Sequence, residues 1–153
     1  MASDTKKELY ETMLKQTKAL LDAEKDFVAN MANTAALIHS TFGFWWTGFY
    51  RVEGQQLVLG PFQGPPACTR IGFGKGVCGT SWKNGSTNIV PDLEQFPGHI
   101  ACSAASKSEI VVPIIKNGEV KAVIDIDSAE LNTFDEEDQH YLEMVANCIA
   151  TTI

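Results

Sequence analysis

The chain has 153 residues, 44% hydrophobic and 20% charged, with 12 Lys and Arg against 19 Asp and Glu for a net charge of −7. That size and balance give one folded domain with a buried core and exclude a disordered chain. The negative excess argues against nucleic acid and membrane surfaces as partners, and no run reaches the ~18 apolar residues of a membrane span.

The chain starts MASDTKKELYETM, with no apolar stretch behind a basic one. No secretory signal is read there, and a cytoplasmic location is expected. Residues 5–22 predict an amphipathic helix with Leu9, Met13, Leu14, Leu20 and Leu21 near helical spacing, and 24–40 predict a second that buries Phe27, Val28, Met31, Ala35 and Ile38. The aromatic run 44–52, bounded by Gly43 and Gly54, reads as a strand, followed after a tight turn by a short one at 55–59. Loops marked by Gly and Pro follow around 60–66 and 72–79, with a short helix near 77–83. Residues 110–115 and 120–126 are apolar, β-branched strands, and Asn117-Gly118 between them signals a hairpin. A last helix starts at Thr133, where Thr133 and Glu136 have capping-box spacing, and its apolar stripe holds Tyr141, Leu142, Val145, Cys148 and Ile149. Helices at both ends around hairpin-linked strands give an α+β domain with a mainly antiparallel sheet.

The four cysteines are Cys68, Cys78, Cys102 and Cys148. In a reducing compartment structural disulfides are not expected, and no close pair of the kind zinc sites use is present. Cys148 sits on an apolar stripe and reads as an inert buried thiol. Gly74-Lys75-Gly76-Val77-Cys78-Gly79 matches G-x-G-x-x-G, but Lys83-Asn84-Gly85-Ser86 breaks the chain too soon for a dinucleotide-binding unit. The better reading is a sharp turn into a short helix whose start would lower the Cys78 pKa. Cys68 lies in a Gly/Pro loop two residues before Arg70, and Cys102 lies between His99 and Lys107. Accessible thiols near cations suggest a redox pair, set against two stray surface thiols.

Asp125 and Asp127 alternate at the end of an apolar strand and so share a face. Counting out from the Asn117-Gly118 turn opposes Glu109 to about residue 126, so three carboxylates should converge at one mouth. Like charges this close raise at least one pKa and can keep a general acid protonated. The bland alternative is a solvated hairpin edge beside an acidic run. Of the adjacent Trp45 and Trp46, which should face opposite sides of their strand, one can be core while the other lines a pocket.

Taken together, these segments resemble the free methionine-(R)-sulfoxide reductases, a family of stand-alone GAF domains. The match runs through 59–68, Gly74 to Gly79, Val90-Pro91-Asp92, Pro97 to Cys102, Ser108 to Pro113 and Asp125-Ile126-Asp127-Ser128. The resemblance implies a single GAF domain over residues 1–153 and thiol-dependent reduction of free L-methionine (R)-sulfoxide. It implies Cys102 as nucleophile, Cys68 as resolving thiol and Cys78 as an additional or alternative thiol. It also implies that Glu109, Asp125 and Asp127 hold the substrate ammonium and assist at the sulfoxide oxygen, and that Trp46 and Tyr50 line the side-chain pocket. Recycling by thioredoxin and a homodimer follow from the same resemblance, with no cofactor and no metal. The ammonium of a free amino acid would explain an acidic pocket without a basic residue, the carboxylate then being met by backbone amides or a helix start, as at helix 77–83 or the Cys102 loop. Two other readings fit part of the pattern: a GAF module that senses a small molecule without chemistry, and a zinc protein using Cys68, Cys78, Cys102 and His99.

Overall fold

The computed structural model describes residues 4–99 and 105–153. Helix α1 (Lys6–Ala23) starts where the Glu8 N–H donates to the Thr5 hydroxyl, and α2 (Phe27–Phe42) starts on the Asp26 carboxylate. Helix α2 ends at Gly43, whose φ of 68° suits a residue without Cβ. Strands β1 (Trp46–Glu53), β2 (Gln56–Gln63) and β3 (Arg70–Gly72) follow, then α3 (Gly76–Asn84), β4 (Asn88–Val90) and a short 3-10 turn at Leu93–Gln95. Strands β5 (Ser108–Lys116) and β6 (Glu119–Ser128) form the predicted hairpin, with both Asn117 and Gly118 at positive φ as a two-residue turn of this hand requires. Helix α4 (Glu136–Ala150) closes the chain.

The strands form one six-stranded sheet in the order β3-β2-β1-β6-β5-β4, every neighbouring pair antiparallel. Side chains alternate across it. One face carries Phe49, Ile110, Val112, Ile114, Ile124 and Ile126 into a core shared with α1, α2 and α4. The other carries Trp46, Tyr50, Val111 and Val123 toward α3 and the long loops. Among the described residues no helix is long and apolar enough to cross a membrane.

Two expectations need correction. Thr133 does not cap α4: its hydroxyl bonds Ser128 Oγ at 2.6 Å, and the cap is Asp135, in a reciprocal box with Asp138. The β5–β6 register also differs by one residue from the count, because a bulge between Ile114 and Ile115 leaves Lys121 unopposed. Glu109 therefore faces Asp127 directly, and Val111 faces Asp125.

Candidate active site

The bulge sharpens the predicted convergence of acids. Asp127 is flanked by Glu109 on β5 and Trp46 on β1, and Asp125 by Val111 and Gly48. Ile124 and Ile126 anchor the same strand in the helical core, which fixes both aspartates on the opposite face. Glu109 and Asp125 are buried, at 7% and 5% exposure. Ser106 donates to Asp127 Oδ2 at 3.4 Å, while Asp125 Oδ1 and Asp127 Oδ1 are buried without a hydrogen-bond partner. None of the ion pairs among the described residues includes these three acids.

Buried carboxylates without a cation hold protons. Burial, then the charges of Asp125 and Asp127, push Glu109 well above the usual carboxylate range. Burial and Asp125 do the same to Asp127. Asp125 is also raised by burial, against hydrogen bonds from Glu109, Cys78 and Asp127 that favour its ionised form. All three acids are thus pushed toward their protonated forms, Glu109 and Asp127 the furthest, and they titrate as a unit.

Cys78 lies in the first turn of α3 but does not behave as a thiol activated by a helix start. It is buried, and burial together with Asp125, Glu109 and Asp127 pushes it well above the ordinary thiol range. Nor is it a loop cysteine. Its sulfur and one oxygen each of Glu109 and Asp125 lie within 4.8 Å of one another. The last glycine of the motif serves packing: a Cβ on Gly79 would meet the Gly72 carbonyl oxygen at 2.5 Å.

Above the acids lies a cleft of about 600 Å³ including its open mouth, walled by Trp46, Tyr50, the 65–67 loop, the start of α3, His99 and the acids themselves. The Trp46 indole N–H donates to the Pro65 carbonyl at 3.0 Å, and the Tyr50 hydroxyl donates to the Cys68 carbonyl at 2.8 Å. Burial and the nearby acids push the Tyr50 phenol far up, so it remains a neutral donor. The two aromatics thereby hold the Cys68 segment over the cleft. Trp45, 39% exposed, reaches the same cleft from its rim, so neither tryptophan belongs to the helical core.

Two residues escape the sequence reading. Gly48 faces Asp125, and a Cβ there would lie 2.6 Å from Trp46 Cη2, so only glycine lets the indole lie across the strand. Lys75, exposed, also lines the cleft, which is therefore not without a basic residue. It stands at the N-cap of α3 and makes no side-chain cap, leaving the first amides of that helix without one.

Cys102, the predicted nucleophile, lies outside the described residues. Cys68 is disulfide-bonded, whereas Cys78 and Cys148 are free. A four-ligand zinc site drawing on a Cys68 thiolate is incompatible with that bond. Cys148 is half-buried against the helical core, as its stripe predicts.

Comparison with known proteins agrees with this geometry. Residues 22–153 match the GAF domain family. The chain is 52% identical over 146 residues to GAF domain-containing protein A of Dictyostelium discoideum, covering 95% of this chain and 92% of that protein. It is 44% identical over 153 residues to the free methionine-R-sulfoxide reductase of Saccharomyces cerevisiae, covering 94% and 85%. The free methionine-R-sulfoxide reductase of Neisseria meningitidis, solved in complex with its substrate, superposes with a TM-score of 0.96 at 47% identity, over 99% of this chain and 92% of that one. The chain therefore belongs to the free methionine-R-sulfoxide reductase family of GAF-domain proteins.

Proposed function

We propose that this protein reduces free L-methionine (R)-sulfoxide to L-methionine, with Cys102 as nucleophile and Cys68 as its resolving thiol. The observation that carries the reading is the pair of buried carboxylate oxygens, on Asp125 and Asp127, that have no donor. An α-ammonium supplies both the missing donors and the missing positive charge. The first amides of α3 and the Lys75 side chain take the α-carboxylate, and Trp46 and Tyr50 flank the side chain.

The Cys102 thiolate attacks the sulfoxide sulfur and, once the oxygen is protonated, displaces it as water, since a protonated oxygen leaves more readily than oxide. Glu109 and Asp127, both raised well above the usual carboxylate range, are the groups suited to protonate that oxygen. Water then attacks the Cys102 sulfur of the resulting sulfonium adduct, breaks the new S–S bond and gives up a proton. The products are methionine and Cys102 sulfenic acid. The Cys68 thiol then condenses with it to a disulfide and water. The disulfide-bonded state of Cys68, with Cys78 and Cys148 free, supports that pairing. Cys78, buried and protonated among the acids, is the weaker candidate for resolution and serves instead as a neutral S–H donor to Asp125. Thioredoxin as the reductant and a homodimer rest on the family resemblance, and a cytoplasmic location completes the proposal.

The test is turnover of separated R and S methionine sulfoxides, each free and N-acetylated, with a small-molecule dithiol. N-acetylation removes the ammonium and leaves the acids unpaired. Losing a charge-assisted bond costs roughly 1.5–3 kcal/mol, so with more than one such bond the acetylated substrate should turn over at least about a hundredfold more slowly, at about 1.4 kcal/mol per decade. Cys102→Ser should abolish turnover, and Cys148→Ser should leave it intact. Equal rates on free and acetylated substrate would end the ammonium reading.

A further inference from the structure

The ammonium reading uses the carboxylate oxygens and gives the Cys78 sulfur only a donor's part toward Asp125. Yet that sulfur and one oxygen each of Glu109 and Asp125 lie within 4.8 Å of one another, all three residues buried. Tetrahedral coordination at ~2.0–2.3 Å places ligand atoms roughly 3.3–3.7 Å apart, so modest side-chain rotation brings these three onto one ion. Asp127 follows Asp125 on the same face, and its buried Oδ1, like Asp125 Oδ1, has no partner in the fold. Three carboxylates and one thiol, with no ion pair to any of the acids among the described residues, form a pocket that any well-fitting cation would neutralise.

We propose that Cys78, Glu109 and Asp125, with Asp127 as fourth ligand, form a binding site for a thiophilic divalent cation, zinc or cadmium, which excludes the substrate ammonium by taking the same oxygens. The exclusion rests on the proposed function; the ligand set does not. On binding, the Cys78 S–H proton and the protons held by the ligating carboxyl groups leave to solvent, metal–sulfur and metal–oxygen bonds form, and nothing is oxidised or reduced. A sulfur ligand selects against magnesium and calcium, which take oxygen ligands and at least six of them. The cation is thus an inhibitory ligand rather than a resident cofactor.

A full-length chain carrying Cys68→Ser, Cys102→Ser and Cys148→Ser keeps Cys78 as its one cysteine. Cadmium titration of that chain should raise an ultraviolet thiolate-to-metal absorption band that saturates at one ion per chain. Glu109→Gln and Asp125→Asn in the same background, each checked for folding by circular dichroism, should weaken binding at least tenfold, and excess magnesium should not displace the ion. Free methionine should raise the apparent cadmium dissociation constant in proportion to its concentration. Absence of the band, or a band that both acid variants leave unchanged, would overturn the site. Cadmium and methionine bound together would overturn the shared oxygens. The band needs no turnover, so cadmium binding by this variant as described, together with failure of the unsubstituted chain to reduce methionine sulfoxide, refutes the reductase reading alone.

Discussion

Asp138 and Asp125 are both aspartates buried in the same small domain, at 1% and 5% exposure, and their surroundings are opposite. Asp138, on α4, takes the Tyr10 hydroxyl at 2.6 Å on one oxygen, and the Lys6 ammonium at 2.7 Å and the Asp135 N–H at 2.9 Å on the other. Every acceptor is used and the charge is paired, so α1 is fastened to the start of α4. Asp125, on β6, has one oxygen without a partner and two further carboxylates as neighbours. The charge of Asp138 is thus met within the fold, whereas that of Asp125 is met only with a cation in place. A buried acid that costs stability in the empty protein, without serving packing, is a mark of a binding site.

This contrast predicts opposite outcomes for two conservative substitutions. Glu109→Gln removes an acid from the cation-free cluster and adds an amide that can donate to Asp125 and Asp127. Turnover should fall roughly tenfold to a hundredfold, the equivalent of one charge-assisted contact of about 1.5–3 kcal/mol. Stability should move the other way. The folded pKa values of these acids are raised above their unfolded ones, so between the two the native state binds more protons than the unfolded state. Stability is therefore lost as pH rises through that window, from the ordinary carboxylate range upward. Glu109→Gln should flatten this decline and raise the melting temperature at neutral pH, by about 2–4 °C per kcal/mol for a chain of this size. Thermal melts across pH 4–8 read both effects, and a variant that melts lower than the parent would break the contrast.

Tyr10→Phe probes the paired aspartate, Asp138. It removes a single donor from a buried charged acceptor, which costs roughly 1.5–3 kcal/mol. Turnover by the folded variant should be unchanged, since Tyr10 lies in the helical core and away from the cleft. Denaturant unfolding measures the loss. An equal loss of turnover at temperatures where the variant is folded would mean that the two faces are coupled through the sheet.

What was legible in the sequence follows the range of each signal. The period-2 pattern puts Asp125 and Asp127 on one face, and the Asn117-Gly118 turn brings Glu109 back to them within a residue. The remaining residue of error is the bulge at Ile114/Ile115, just past Pro113, which a count taken from the turn alone leaves out. Two overlapping cap signals, Thr133 with Glu136 and Asp135 with Asp138, are equally good locally. Ser128, brought over by β6, engages the Thr133 hydroxyl and decides between them. Cys78 was misjudged because the helix start is a local feature, whereas the acids that reverse its pKa come from strands some 30 residues or more away. Gly48 was invisible for a similar reason: its smallness matters only because the Trp46 ring lies across it.

Lys75 offers the smallest effect and tests how the two ends of the substrate are held. It is an exposed side chain at the edge of the cleft, beside the uncapped amides that start α3. Exposed charge pairs contribute about 0–1 kcal/mol and are screened by salt. Lys75→Ala should therefore raise KM for free methionine sulfoxide by no more than about fivefold, leave kcat unchanged, and reduce the dependence of KM on ionic strength. The buried acids should show the reverse pattern, since salt hardly screens a contact closed off from solvent. Comparing KM against salt for the parent, Lys75→Ala and Glu109→Gln separates the two ends. If Lys75→Ala lowers kcat instead, the lysine orders the start of α3 around Cys78 rather than meeting the carboxylate, and the amides alone hold that end of the substrate.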